Sequence, residues 1–143
     1  RSIVGPAGAL LMKVEYIKKG TSRTFVIVDG AMTEVLRPAL YEAHHDIVPL
    51  QKRKGDETAV DVVGPVCETG DFLALQRSMV EPKQDDLMAV LDAGAYCSVM
   101  SSNYNSRPRP AEVLIDQGAA HLIRKRETLR DLYRHEVVPE HLD

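Results

Sequence analysis

The stretch ALLMKVEYI, Ala9–Ile17, sets Met12, Val14 and Tyr16 on one side of an alternation and Lys13 and Glu15 on the other. A period of two buries one face of a strand and cannot line one face of a helix. After the turn Lys18-Lys19-Gly20-Thr21 comes TFVIVD, Thr24–Asp29, a short and nearly unbroken apolar run. Such a run suits a central strand better than a single helical turn. The two together commit the chain to a sheet.

The rest of the sequence extends that reading. Asp46–Leu50 and Thr58–Val63 are expected as further strands on either side of the charged turn Gln51–Glu57, and Asp86–Asp92 as another. Helical character over Thr33–Ala43 is cut short by Pro38, which removes a donor and crowds the preceding turn. Gly94-Ala95 can open a short helix, whereas the prolines of Asn103–Pro110 make that stretch irregular. Ala111–Asp116 and His121–Arg124 pair around Gly118. A terminal amphipathic helix over Lys125–Glu136 puts Leu129, Leu132 and Tyr133 on one face. The expectation is one α+β domain, mostly β, barrel-like or sandwich-like, with short helices.

Composition removes several classes of function. A chain of 143 residues with net charge −3 carries no basic footprint for nucleic acid. It holds no apolar run of the roughly 18–20 residues a membrane span needs, and no signal peptide. Two cysteines, Cys67 and Cys97, make no disulfide framework, which points to a reducing, cytoplasmic setting. The opening Arg1-Ser2-Ile3-Val4 lacks an initiator Met and reads as a fragment or a processed product.

The chemistry-bearing residues concentrate in a few places. In VVGPVCETGDFLA, Val62–Ala74, a thiol and a carboxylate, Cys67 and Glu68, stand side by side among turn residues. As metal ligands they are poor, since no CxxC or HxxxH lies nearby and zinc takes about four ligands. As a covalent nucleophile Cys67 needs a base such as His44 or His45, which the spacing does not supply. As a proton donor a thiol with pKa near ~8.5 is suitable, and the neighbouring acid can bind a substrate cation. The structural alternative is a buried Cys beside a solvated Glu. In RPALY, Arg37 and Tyr41 are four apart, so a helix sets both on one face as a carboxylate clamp, against the alternative of a surface ion pair. The small residues of DAGAY, ahead of Tyr96, allow close approach to a ligand or simply a packed turn. Adjacent His44 and His45 point in different directions and are read as structural or surface residues.

RSIVGPAG, VDGAMTEVLRPALYEAHHDI, VVGPVCETGDFLA and DAGAYCSVMSSNYNSRPRPAEVLI occur in that order. In wording and order the chain resembles the C-terminal part of the diaminopimelate decarboxylases, over nearly its whole length. Related fold-type III decarboxylases acting on ornithine or arginine share the Cys loop but carry Asp after the Cys. The resemblance implies pyridoxal phosphate as cofactor, with the Schiff-base lysine in an N-terminal (β/α)8 barrel that is absent here. Residues 1–143 are then the C-terminal β-rich substrate and dimerisation domain, inactive by itself, of a homodimer whose active site is shared between chains. The implied reaction converts meso-2,6-diaminopimelate to L-lysine and CO2. By the same resemblance Arg1 and Arg37 hold the distal carboxylate, Tyr41 adds a hydrogen bond and Glu68 pairs with the distal ammonium. Cys67 is the proton donor, and Tyr96 contacts cofactor and substrate. No metal, nucleic acid or membrane enters this reading. The alternatives are an ornithine or lysine decarboxylase (L or D) of the same fold, or a non-catalytic dimerisation domain.

Overall fold

The structure, a computed structural model, describes residues 1–142, and Asp143 lies outside the described residues. Strand β1 (Leu10–Lys19) turns through Gly20, whose N–H donates to the Arg23 carbonyl at 2.8 Å, into antiparallel β2 (Thr24–Val28). The register slips between Val14 and Tyr16, so Glu15 sits in a bulge of the otherwise alternating strand. Next in sequence come a short strand β3 (Ile47–Pro49), β4 (Glu57–Val63), β5 (Phe72–Val80) and β6 (Leu87–Val90). In space the six run β3-β6-β1-β2-β4-β5, all antiparallel except the β2–β4 pair.

The expected alternation fills the core at Met12 and Val14, but beyond the Glu15 bulge Tyr16 is exposed at 56% instead of sharing their face. Met12 and Val14 from β1, Val26 and Val28 from β2, Val60 and Val62 from β4, Leu73 from β5 and Met88 and Val90 from β6 are all buried. Each such side chain contributes about 1.5–3 kcal/mol relative to exposure. The two edge strands come within reach of a single side chain. Arg77 of β5 donates from Nη2 to the carbonyl of His45, just ahead of β3, at 2.8 Å. The fold is therefore mostly β with a strongly curled sheet, as the sequence led us to expect.

Strand β5 is the element the sequence reading lacked. Its middle, Leu75-Gln76-Arg77-Ser78, is largely polar, and Gln76 adopts the left-handed region at φ 49°. The ladder with β4 is irregular there. The buried Asp61 of β4 accepts the Gln76 N–H at 2.7 Å and pairs with Arg23 at 3.2 Å, which supports the irregularity. An interrupted alternation of this kind hides a strand from a period-two reading.

Two helical expectations are shortened. Helix α1 spans Arg37–Tyr41, with Pro38 in its first turn and Glu42 at φ 53° ending it. Helix α2 spans Leu129–Tyr133 instead of the expected Lys125–Glu136. Thr128 and Asp131 form a capping box that starts the helix there, and the Glu127 N–H is already committed to the Arg109 carbonyl at 3.1 Å.

The described residues divide into two compact units, 1–101 and 102–142. In the second unit β7 (Glu112–Asp116) and β8 (Ala119–Arg124) form a hairpin. Its turn takes positive φ at both Gln117 and Gly118, the geometry that suits the twist of paired strands. The proline-rich stretch is fastened by Glu127, which accepts from the Arg109 N–H at 2.8 Å, from Asn103 Nδ2 at 2.7 Å and from Arg109 Nη1 at 3.0 Å. Those donors, the Arg109 backbone N–H first, hold the Glu127 carboxyl below its ordinary range. No helix among the described residues is long and apolar enough to cross a membrane.

Candidate active site

The loop between β4 and β5 carries Cys67 and Glu68, both exposed. It is built on one buried carboxylate. Asp71 accepts the Val66 N–H through Oδ2 and the Met32 N–H through Oδ1, each at 2.7 Å. Gly64 is required beneath it, since a Cβ there would collide with the Asp71 carboxylate and stand 2.8 Å from the Ala31 Cα. Short backbone bonds, Glu68 N–H to Val66 carbonyl at 2.8 Å and Asp71 N–H to Glu68 carbonyl at 3.1 Å, close the loop on itself. The Glu68 Oε1 accepts the Gly70 N–H at 3.2 Å. The buried-Cys alternative therefore fails at Cys67, and Cys97 is the buried thiol. The two histidines considered as bases for a nucleophilic Cys67 are bonded elsewhere, His45 to Arg37 and Leu91 and His44 to Asp46 and Arg77. Among the described residues no group of His, Cys, Asp and Glu side chains is arranged to hold a metal.

RPALY is helical, as the clamp reading required, but its arginine faces inward. Arg37 is 8% exposed and Tyr41 61% exposed. The surface ion-pair alternative is not met, since Arg37 Nη1 lies 2.8 Å from Nε2 of the buried His45. His45 Nδ1 lies 2.8 Å from the Leu91 carbonyl, which accepts only, so Nδ1 carries the proton. Nε2 then offers a lone pair to the guanidinium. The two histidines do point apart, as adjacent residues should, with the His44 side chain 67% exposed and hydrogen-bonded to Asp46 at 3.0 Å. That bond, more than any other influence, holds the Asp46 carboxyl below its ordinary range, and the neighbouring Arg77 guanidinium lowers it further.

The Cys97 thiol is buried and feels the charge of both Arg37 and Arg1. Burial pushes that thiol up, and the two guanidinium groups act against the shift. Arg1 is exposed, and its carbonyl accepts the Gly5 N–H at 2.7 Å. The DAGAY segment is a packed turn. The Ala93 N–H goes to the Gly8 carbonyl at 2.8 Å and the Gly94 N–H to the Gly5 carbonyl at 3.0 Å. A Cβ at Gly94 would collide with the Val4 carbonyl, and one at Gly8 would stand 2.6 Å from the Gly94 Cα. The glycines serve this crossing of two backbones. Tyr96 follows in a left-handed conformation, φ 61°, and is 51% exposed.

The sequence reading gave Asp71 no role and His45 no partner. Side chains that receive backbone N–H groups or fix a tautomer leave no spacing signature.

With this geometry in hand, residues 3–94 match the family described as pyridoxal-dependent decarboxylase, C-terminal sheet domain. The chain belongs to this family. The diaminopimelate decarboxylase of Aquifex aeolicus is 50% identical over 127 residues, 89% of this chain and 30% of the relative. That of Vibrio cholerae is 49% identical over 141 residues, 98% of this chain and 34% of the relative. A crystal structure of diaminopimelate decarboxylase from M. jannaschii in co-complex with L-lysine matches with a TM-score of 0.93 and 39% identity, over 99% of this chain and 32% of that one. The chain spans about a third of the length of the curated relatives it matches. The stretch shared with the pyridoxal-dependent decarboxylase sheet domain takes in Arg37, Tyr41, Cys67 and Glu68 and stops short of Tyr96.

Proposed function

We propose that this chain is the C-terminal β-rich part of a decarboxylase that converts meso-2,6-diaminopimelate to L-lysine and CO2, and that it acts within a longer enzyme. The observation that carries the proposal is the exposed Cys67–Glu68 pair on a loop pinned by a buried carboxylate. An acid and a thiol held side by side suit a substrate with a remote ammonium and a carbon that must be protonated. The curated relatives quoted above, at about half identity, bear the same activity in their names.

Within this reading each residue has a task. The Glu68 carboxylate pairs with the distal ammonium, and Arg1 and Arg37 with Tyr41 hold the distal carboxylate. Pairing every charge matters, because a buried polar group left without a partner costs about 1–3 kcal/mol. The Cys67 Sγ–H donates its proton to the carbon from which CO2 has left, and the thiolate regains a proton from solvent.

Pyridoxal phosphate, when bound, supplies the electron sink for decarboxylation. The fit of this chain to that group is partial. The Ala93 and Gly94 N–H groups are used within the fold and are not offered to a phosphate, while the exposed Tyr96 ring can contact the cofactor. The lysines are exposed or half-buried, and Lys13, paired with Glu15, is pushed up instead of down. We therefore assign the Schiff-base lysine to a barrel domain outside this chain. A homodimer with Cys67 reaching the partner subunit's site, in the cytoplasm, completes the proposal.

The rival, an ornithine or lysine decarboxylase, is not favoured by the relatives, and the bond to His45 engages only one Arg37 nitrogen, leaving donors for a carboxylate. CO2 release by the full-length enzyme with pyridoxal phosphate, offered meso-diaminopimelate, L-ornithine and D-lysine in parallel, separates the two. Release from meso-diaminopimelate alone is expected. Release from ornithine or D-lysine instead would overturn the distal-pocket assignment, and release from none would overturn the catalytic reading.

A further inference from the structure

We infer that Asp71 is the positioning residue that holds the Cys67–Glu68 loop in register with the segment leading to the Arg37 helix. The inference rests on the roles proposed for Cys67 and Arg37. The two carboxylate oxygens of Asp71 serve two different pieces of chain. Oδ2 takes the Val66 N–H, immediately before Cys67, and Oδ1 takes the Met32 N–H, in the turn that precedes α1. Both distances are 2.7 Å, and the side chain is buried at 4% exposure. An ionised carboxylate accepts from both sides at once, and charge-assisted bonds to backbone N–H are stronger than neutral ones.

The surroundings fit a bridge between the two segments and not merely a loop staple. The Asp71 backbone also takes part, its carbonyl accepting the Gly64 N–H at 3.1 Å and its N–H donating to the Glu68 carbonyl at 3.1 Å. Gly64 clears the space the carboxylate occupies, and the Ala31 Cα borders the same space. On the far side of the loop, a Cβ at Gly70 would stand 3.8 Å from the Ala39 methyl of α1. The thiol, the acid and the arginine helix thus share one buried anchor. A donor displaced by about 1 Å can lose about 100-fold in rate, so the anchor bears on turnover.

Asp71→Asn is the informative change. It keeps shape and volume, yet an amide presents N–H where one of the two backbone N–H groups must be accepted. In the full-length enzyme loaded with pyridoxal phosphate, the variant is expected to lose about 10- to 100-fold in kcat on meso-diaminopimelate, with KM within about threefold of wild type. Cofactor absorbance should stay as in wild type, and the thermal midpoint should fall by no more than about 5 °C. In a Cys67→Ala background the same substitution should cost less than about threefold, because a residue acting through Cys67 has nothing left to position. Gly64→Ala, which presses on the carboxylate and on the Ala31 backbone alike, should repeat the loss of kcat with a larger fall in the thermal midpoint. Unchanged kcat in both variants, or losses that multiply with those of Cys67→Ala, would overturn the inference. Inactivity of the wild-type enzyme on meso-diaminopimelate would instead overturn the proposed function beneath it.

Discussion

The two halves of the candidate site solve the same problem in opposite ways. In the β4–β5 loop the side chains proposed to act on substrate, Cys67 and Glu68, are exposed and the supporting side chain, Asp71, is buried. In the Arg37 cluster the side chain proposed to bind substrate is itself buried, and it is held by another buried side chain, His45. The loop thus separates chemistry from stability, while the cluster combines them. Substitution of an exposed group should touch catalysis or substrate binding without touching folding, and substitution of Arg37 should touch activity and folding together.

The largest effect should come from the loop. Cys67→Ala is expected to lower kcat of the full-length enzyme by about 10²–10⁴, the range for loss of a proton donor. Its unfolding free energy should change by less than about 0.5 kcal/mol, as for an ordinary surface site. A marked loss of stability in urea titrations would erase the contrast between the halves.

Arg37→Met should lower kcat/KM for meso-diaminopimelate by about 30- to 1,000-fold, as truncating one partner of a buried charged hydrogen bond costs about 2–4 kcal/mol. Unlike Cys67→Ala, it should also lower the thermal midpoint, because His45 Nε2 loses its donor. Steady-state kinetics and a melting curve on the same preparation read both. A normal midpoint would place Arg37 with the loop residues.

Glu68→Gln should raise KM for meso-diaminopimelate about 10-fold while cofactor titrations remain as in wild type, which corresponds to about 1.4 kcal/mol. Equal loss of cofactor and substrate affinity would remove the cation-pairing role. It would also make the loop a structural element like the cluster.

The smallest test concerns the thiols. Burial raises the Cys97 pKa, so at any pH near neutrality less of it is thiolate than of an ordinary cysteine. With Cys67 exposed, brief iodoacetamide treatment of this chain at about pH 7.5 should label Cys67 at least about 10 times faster, as read by peptide mass spectrometry. Comparable labelling at Cys97 would show that the cluster is open.

Much of the sheet could be read from the residues because β1, β2 and β4 follow simple patterns. Met12 and Val14 alternate with Lys13, and TFVIVD and Thr58–Val63 are short apolar runs that became strands. Strand β5 escaped because Gln76 and its polar neighbours break the alternation. The terminal helix was overextended because apolar spacing is blind to the capping box at Thr128 and to the use of Glu127 elsewhere. At the site, sequence words pointed to Cys67, Glu68 and Arg37. The inward turn of Arg37 and the bridging by Asp71 were not legible, since each depends on contacts to residues distant along the chain, Leu91 through His45 and Met32.

The order β3-β6-β1-β2-β4-β5 has a consequence for how the molecule comes into being. Strand β6, Leu87–Val90, sits between β1 and β3, both of which precede it in the chain. While the polypeptide is emerging, β1 can pair with β2 across a tight turn, but its other edge stays open until β6 has been made. Strand β3 has no partner before then. Non-local pairings of this kind slow folding and leave strand edges open to wrong partners. Strand β5, which carries the Arg77 link to the segment ahead of β3, is made before β6, so the pairings of β6 with β1 and β3 are the last this sheet can form.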